Sequence, residues 1–87
     1  MAIERLTSST LEHAVEFIND AENDVDRLWI YKDGIFIGDY FPKLFGKIKY
    51  DLEQITLLVN IDKDDVLCEE TLVITKDNFP EYTFHYV

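Results

Sequence analysis

The sequence predicts a small single α+β domain spanning residues 1–87, with an antiparallel sheet of about four to five strands, one or two helices on one face, and the order α-β-β-α-β-β-β. Apolar residues recur at helical spacing after Ser9. Asp33-Gly34 separates two segments of strand character. The segments from Ile55 onward are rich in branched and aromatic residues and joined by short polar turns, so hairpins dominate and no parallel crossover is required.

The first element is a helix from about Thr10 to Asn23. Ser9 and Glu12 have capping-box spacing, in which the hydroxyl takes an amide three residues on and the carboxylate reaches back. Leu11, Ala14, Val15, Ile18 and Ala21 then form one apolar stripe. Arg27 to Lys32 and Ile35 to Phe41 form a hairpin around a type I′ turn, because Asp-Gly accepts the positive φ that both turn positions need. Counting outward pairs Tyr31 with Phe36, Ile30 with Ile37 and Trp29 with Gly38, which would let the indole lie over bare backbone. Large apolar groups alternate onto both faces of this hairpin, so it is either buried twice or presents an aromatic contact surface.

Pro42 to Gln54 reads as a second helix, with Leu44, Phe45, Ile48, Leu52 and Ile55 on one arc. The rival is a strand, in which Ile48, Tyr50 and Leu52 alternate with charged residues; Gly46 favours that rival. Ile55 to Ile61 and Glu70 to Thr75 are strands, Asp62 to Asp65 is a polar loop, and Glu81 to Val87 is the last strand.

Eighteen carboxylates against eight Lys and Arg give a formal charge of −10. Residues 1–26 carry −6 and residues 51–87 carry −7, whereas residues 27–50 carry +3. Such a chain lacks the basic footprint that nucleic acids and anionic membrane surfaces demand. Its 47% hydrophobic content suffices for a core, unlike a disordered acidic tail. A domain this short buries only about 60% of its extended surface, so charge repulsion weighs on its stability. The start Met-Ala-Ile-Glu-Arg has no secretory apolar core, and no run approaches the roughly 20 apolar residues of a membrane span, so a cytoplasmic location is expected.

Glu12, Glu16, Asp20 and Asp24 recur every fourth residue, and Asp62, Asp64, Asp65, Glu69 and Glu70 form a second acidic group. A charge run of this kind is most simply a solvated face. Functionally, a ladder rising about 6 Å per step offers a stand-in for phosphates, although a DNA strand carries a charge every ~3.4 Å. Neither acidic run makes a calcium loop: starting from Asp62, Leu67 falls where glycine is required, and starting from Asp20, Val25 does. The single Cys68 excludes an internal disulfide, and its acidic neighbours oppose the thiolate that catalysis requires. His13 and His85 read as surface residues, and no phosphate loop, nucleophile elbow or zinc-protease motif is present. Trp29, Tyr31 and the other aromatics are core by default; exposed, Trp29 and Tyr31 would be anchors for a partner.

In size, acidity and lack of catalytic equipment the chain resembles small phage-encoded inhibitors and toxin-immunity proteins as a class, a likeness that rests on no motif and carries no residue over. The sequence therefore predicts a non-enzymatic interaction protein, with no cofactor or metal, whose acidic surface binds and inhibits a basic protein such as a nuclease or other nucleic-acid-handling protein. If phage-encoded, it would act in the host cytoplasm. The alternative is an assembly subunit, for instance a homodimer, that associates through a sheet edge or the aromatic hairpin.

Overall fold

The computed structural model describes residues 2–87, with the side chains of Asp62 and Lys63 outside that description. Strand β1 (Glu4–Arg5) precedes helix α1 (Leu11–Asn19), the hairpin β2 (Leu28–Lys32) and β3 (Ile35–Tyr40), and a one-turn helix α2 (Pro42–Phe45). Strands β4 (Tyr50–Asp51), β5 (Gln54–Lys63), β6 (Val66–Thr75) and β7 (Tyr82–Tyr86) follow. The seven strands form one antiparallel sheet in the spatial order β1-β7-β2-β3-β5, with β4 also against β5. Because β6 pairs with β5 along its whole length, from Gln54↔Thr75 to Lys63↔Val66, β3 and β4 share the opposite edge of β5. The α+β class holds, but there are more strands than expected and the chain begins with one.

Thr10, not Ser9, caps α1: its hydroxyl accepts the His13 amide at 3.2 Å. That puts His13 where a capping box needs an acid. The helix also stops at Asn19 rather than Asn23, because side chains compete for its last backbone groups. Asp20 turns extended and accepts the Glu22 amide at 3.0 Å, while the Asn23 carboxamide donates to the Phe17 carbonyl at 2.9 Å. Asp24 then enters the left-handed region at φ 46°.

The β2–β3 turn has φ 51° at Asp33 and 81° at Gly34, as the Asp-Gly pair predicts. Tyr31 does pair with Phe36, but a bulge at Ile37 shifts the register beyond it to Ile30↔Gly38 and Trp29↔Asp39. Gly38 serves a different neighbour from the expected indole. A Cβ there would lie 2.9 Å from the Asn60 carbonyl oxygen and 3.1 Å from Ile61 Cγ1, so its bareness admits the β5 backbone.

The long second helix does not form. It ends after Phe45, where Gly46 takes φ 89°, and Tyr50–Asp51 turns back onto β5 through Leu52 and Glu53, both at positive φ. Of its expected apolar stripe, Ile48 and Ile55 are buried, whereas Leu44 and Leu52 are 75% and 86% exposed. The polar loop at 62–65 is shorter than expected. Asp64 and Asp65 adopt φ 51° and 65°, a tight turn that lets β5 and β6 grow to ten residues each.

The core lies between α1 and one face of the sheet. Leu11, Ala14, Val15 and Ile18 of the helix join Leu28, Ile30, Leu57, Val59, Ile74 and Phe84 of the strands in one buried cluster. One helix covers one face; the other is left to solvent.

Candidate interaction surface

Strand alternation builds the uncovered face. Leu28 and Ile30 point into the core, so Trp29 and Tyr31 point away from it and are half-buried. The Tyr31 ring meets the edge of Phe36 at 5.5 Å and stands 5.2 Å from the His85 imidazole. The Arg27 guanidinium lies over the Trp29 ring at 4.7 Å and bonds Asp39, the one buried charged residue among those described. Phe36, Leu58 and Val73 extend the face and are 46%, 38% and 43% exposed. Of these, Tyr31 and its partner Phe36 are foreshadowed by the hairpin register; Leu58 and Val73 join only because β5 and β6 pair alongside.

The predicted acidic residues do not make one patch. Glu12 and Glu16 are exposed on α1, on the side of the sheet away from Trp29 and Tyr31. Asp20 and Asp24 lie past the end of the helix, so the four-step ladder is cut to two. Asp20 caps the following turn, and Asp24 pairs with Lys43 at 2.5 Å, which also holds Asp26 at 2.5 Å. These two partners push the Lys43 pKa up to about 12.

The second group straddles the β5–β6 hairpin. Asp64 and Asp65 are exposed in its turn. Glu69 and Glu70 are neighbours in β6 and so face opposite ways. Glu69 pairs with Asn60 on the open face; Glu70 pairs with Val59 on the helix side. The Asp62 side chain lies outside the described residues. Thus Trp29, Tyr31 and Glu69 share one face, while Glu12, Glu16 and Glu70 belong to the other.

A depression of about 560 Å³ lies between β7 and the residues before α1. Arg5 and Tyr82 are its ionisable side chains, so it contains no carboxylate, histidine or cysteine for acid–base or nucleophilic work. His13 is exposed and Cys68 half-buried. Among the described residues no cluster of His, Cys, Asp and Glu could hold a metal ion, and no helix is long and apolar enough to cross a membrane. The open sheet face gathers Trp29, Tyr31 and Phe36 with the exposed Leu58 and Val73, an apolar and aromatic cluster accessible to solvent. No family model, curated protein or solved structure matches this chain.

Proposed function

We propose that this protein is a non-enzymatic interaction protein that docks on a basic, nucleic-acid-handling protein and inhibits it. The observation that carries this reading is the open sheet face, where Trp29, Tyr31, Phe36, Leu58 and Val73 stand beside strands that end in the acidic Asp64-Asp65 turn. Aromatic contacts on that face supply slow release, and the net charge of −10 speeds encounter with a cationic surface. Glu12 and Glu16, on the far side of the sheet, contribute to steering but lie outside the contact.

Capture from lysate of the source cells at low salt, with elution by a salt gradient, tests this with three forms of the protein. The wild type should retain a basic nucleic-acid-binding protein and suppress its activity; Trp29→Ala with Tyr31→Ala should lose it. Glu12→Gln with Glu16→Gln should retain it while slowing capture. Equal retention by all three forms, or retention of acidic proteins alone, would sink the proposal.

An assembly subunit is the second reading, favoured by the hairpin tip, where Ile35 and Phe36 are 69% and 46% exposed. Sedimentation across a concentration series separates the two. A homo-oligomer that protects the hairpin supports assembly, and a monomer at every concentration removes it.

A further inference from the structure

Strand β6 is an outer edge of the sheet: it pairs with β5 and with no other strand among the described residues. Two hydrogen bonds fix which of its backbone groups face outward. The Lys76 amide turns back to the Glu53 carbonyl at 2.9 Å, so even-numbered positions point toward β5. The Thr75 amide instead donates to the Asn78 side chain at 2.7 Å, outside the ladder. By alternation the amides and carbonyls of Leu67, Glu69, Thr71 and Val73 face away from β5 and toward solvent. All four of these residues are exposed.

Natural sheets blunt a long edge of this kind with lysine, proline or a bulge. β6 has none of the three; the charges it does carry, Glu69 and Glu70, are carboxylates, which repel an acidic strand but not a cationic one. Its register with β5 is unbroken over ten residues, and its sequence Val-Leu-Cys-Glu-Glu-Thr-Leu-Val-Ile-Thr contains neither Lys nor Pro. The charge on and beside this edge is negative: Glu69 is exposed, and Asp64 and Asp65 form the turn at its start. A second copy pairing here would set acid near acid and meet the repulsion of two chains at −10. An extended segment carrying Lys or Arg opposite Glu69 gains both the backbone ladder and a cross-strand charge pair, with Asp64 and Asp65 adding negative potential at the end of the edge.

We infer that β6 receives an extended cationic segment of the partner as an added antiparallel strand, with the outward groups of Leu67, Glu69, Thr71 and Val73 supplying its hydrogen bonds. This rests on the basic-partner reading above and specifies how that partner is gripped.

Isotope-labelled full-length protein is titrated with a short peptide alternating Lys and Val, and backbone amide exchange is followed by NMR. The four outward amides should exchange quickly in the free protein and slow at least tenfold with peptide, whereas amides bonded to β5 should change little. Methylating the peptide nitrogens that face β6 should abolish the protection, and Glu69→Lys should weaken binding by about fivefold. Thr71→Pro removes one outward N–H without breaking a bond to β5, and it should block binding. If that variant does not fold, the methylated peptide decides the matter alone.

Binding that shifts Trp29, Tyr31 and Leu58 without protecting the outward amides overturns strand addition while leaving a basic partner on the open face. Absence of binding by the Lys/Val peptide also overturns strand addition, and the lysate capture then judges the partner separately. Concentration-dependent protection of the same amides without peptide overturns it in favour of a second copy.

Discussion

The Asn19 carboxamide makes both backbone hydrogen bonds of Ile48: its Nδ2 donates to the Ile48 carbonyl at 2.7 Å and its Oδ1 accepts the Ile48 amide at 2.7 Å. A side chain at the end of α1 thus stands in for a neighbouring strand. The 46–49 segment runs along the surface with no ladder of its own, Gly46, Lys47 and Lys49 being exposed, and this clamp satisfies its one buried residue, Ile48, 4% exposed.

Asn19→Ala strands a buried donor and acceptor together. The expected cost is about 2 kcal/mol, within the range for unsatisfied buried polar groups. Urea denaturation gives the magnitude. Fast exchange of the Ile48 amide in the variant would show that the loss arises at the clamp, and an unchanged midpoint would refute the clamp's importance.

Gly38→Ala tests the approach of β5 to β3. The new Cβ would press on the Asn60 carbonyl, a backbone atom that cannot swing aside, so a loss of about 2 kcal/mol is expected from overpacking. Hydrogen exchange should rise at the β3–β5 contact more than in the β2–β7 pair. A variant as stable as wild type would mean that the two strands separate without cost.

Arg27 and Asp39 face each other across the β2–β3 hairpin, joined through Nε at 2.9 Å and through Nη2. Asp39 is 10% exposed at its side chain and Arg27 42%, so water screens one partner only. Arg27→Ala leaves Asp39 buried without its cation. The expected cost is about 2 kcal/mol, below the ~3–5 kcal/mol of a fully buried pair because Arg27 is partly solvated. Asp39→Asn should cost less, and the double-mutant cycle should return a coupling energy that isolates the pair.

Alkaline pH should weaken the fold. Lys43 is pushed from 10.5 up to about 12 by its bonds to Asp24 and Asp26. Burial raises Tyr40 above 10.0; the bond to Glu4, and then burial, raises Tyr86 above 10.0. A folded-state pKa above the unfolded one stabilises fully below the unfolded value and loses that contribution as pH climbs through the folded value. Stability should therefore hold up to 10.0, the ordinary tyrosine value, and fall toward about 12. Denaturation midpoints across that window, with phenolate absorbance followed in parallel, provide the check. Lys43→Met combined with Tyr86→Phe should flatten the decline; a parallel decline in that variant would assign it to other groups.

What the sequence alone determines here is local. The apolar stripe of Leu11, Ala14, Val15 and Ile18, the Asp33-Gly34 turn and the alternating aromatics each rest on periodicity or on one residue's backbone preference, so α1, the β2–β3 hairpin and the α+β class were legible from the sequence. The second helix was not, because its apolar spacing suited a helix while Gly46 and the distant Asn19 clamp set the outcome. Nor was the bulge at Ile37, which one extra residue creates and which moved Gly38 away from Trp29. The candidate site shows the same division. Which residues are acidic or aromatic is written in the chain, but which face each occupies depends on register and on where α1 stops. Tertiary structure alone put Trp29, Tyr31 and Glu69 on one side of the sheet and Glu12 and Glu16 on the other. The physical reason is that a strand changes face at every residue, so a single bulge or a four-residue change in helix length redirects side chains that sequence spacing would have grouped.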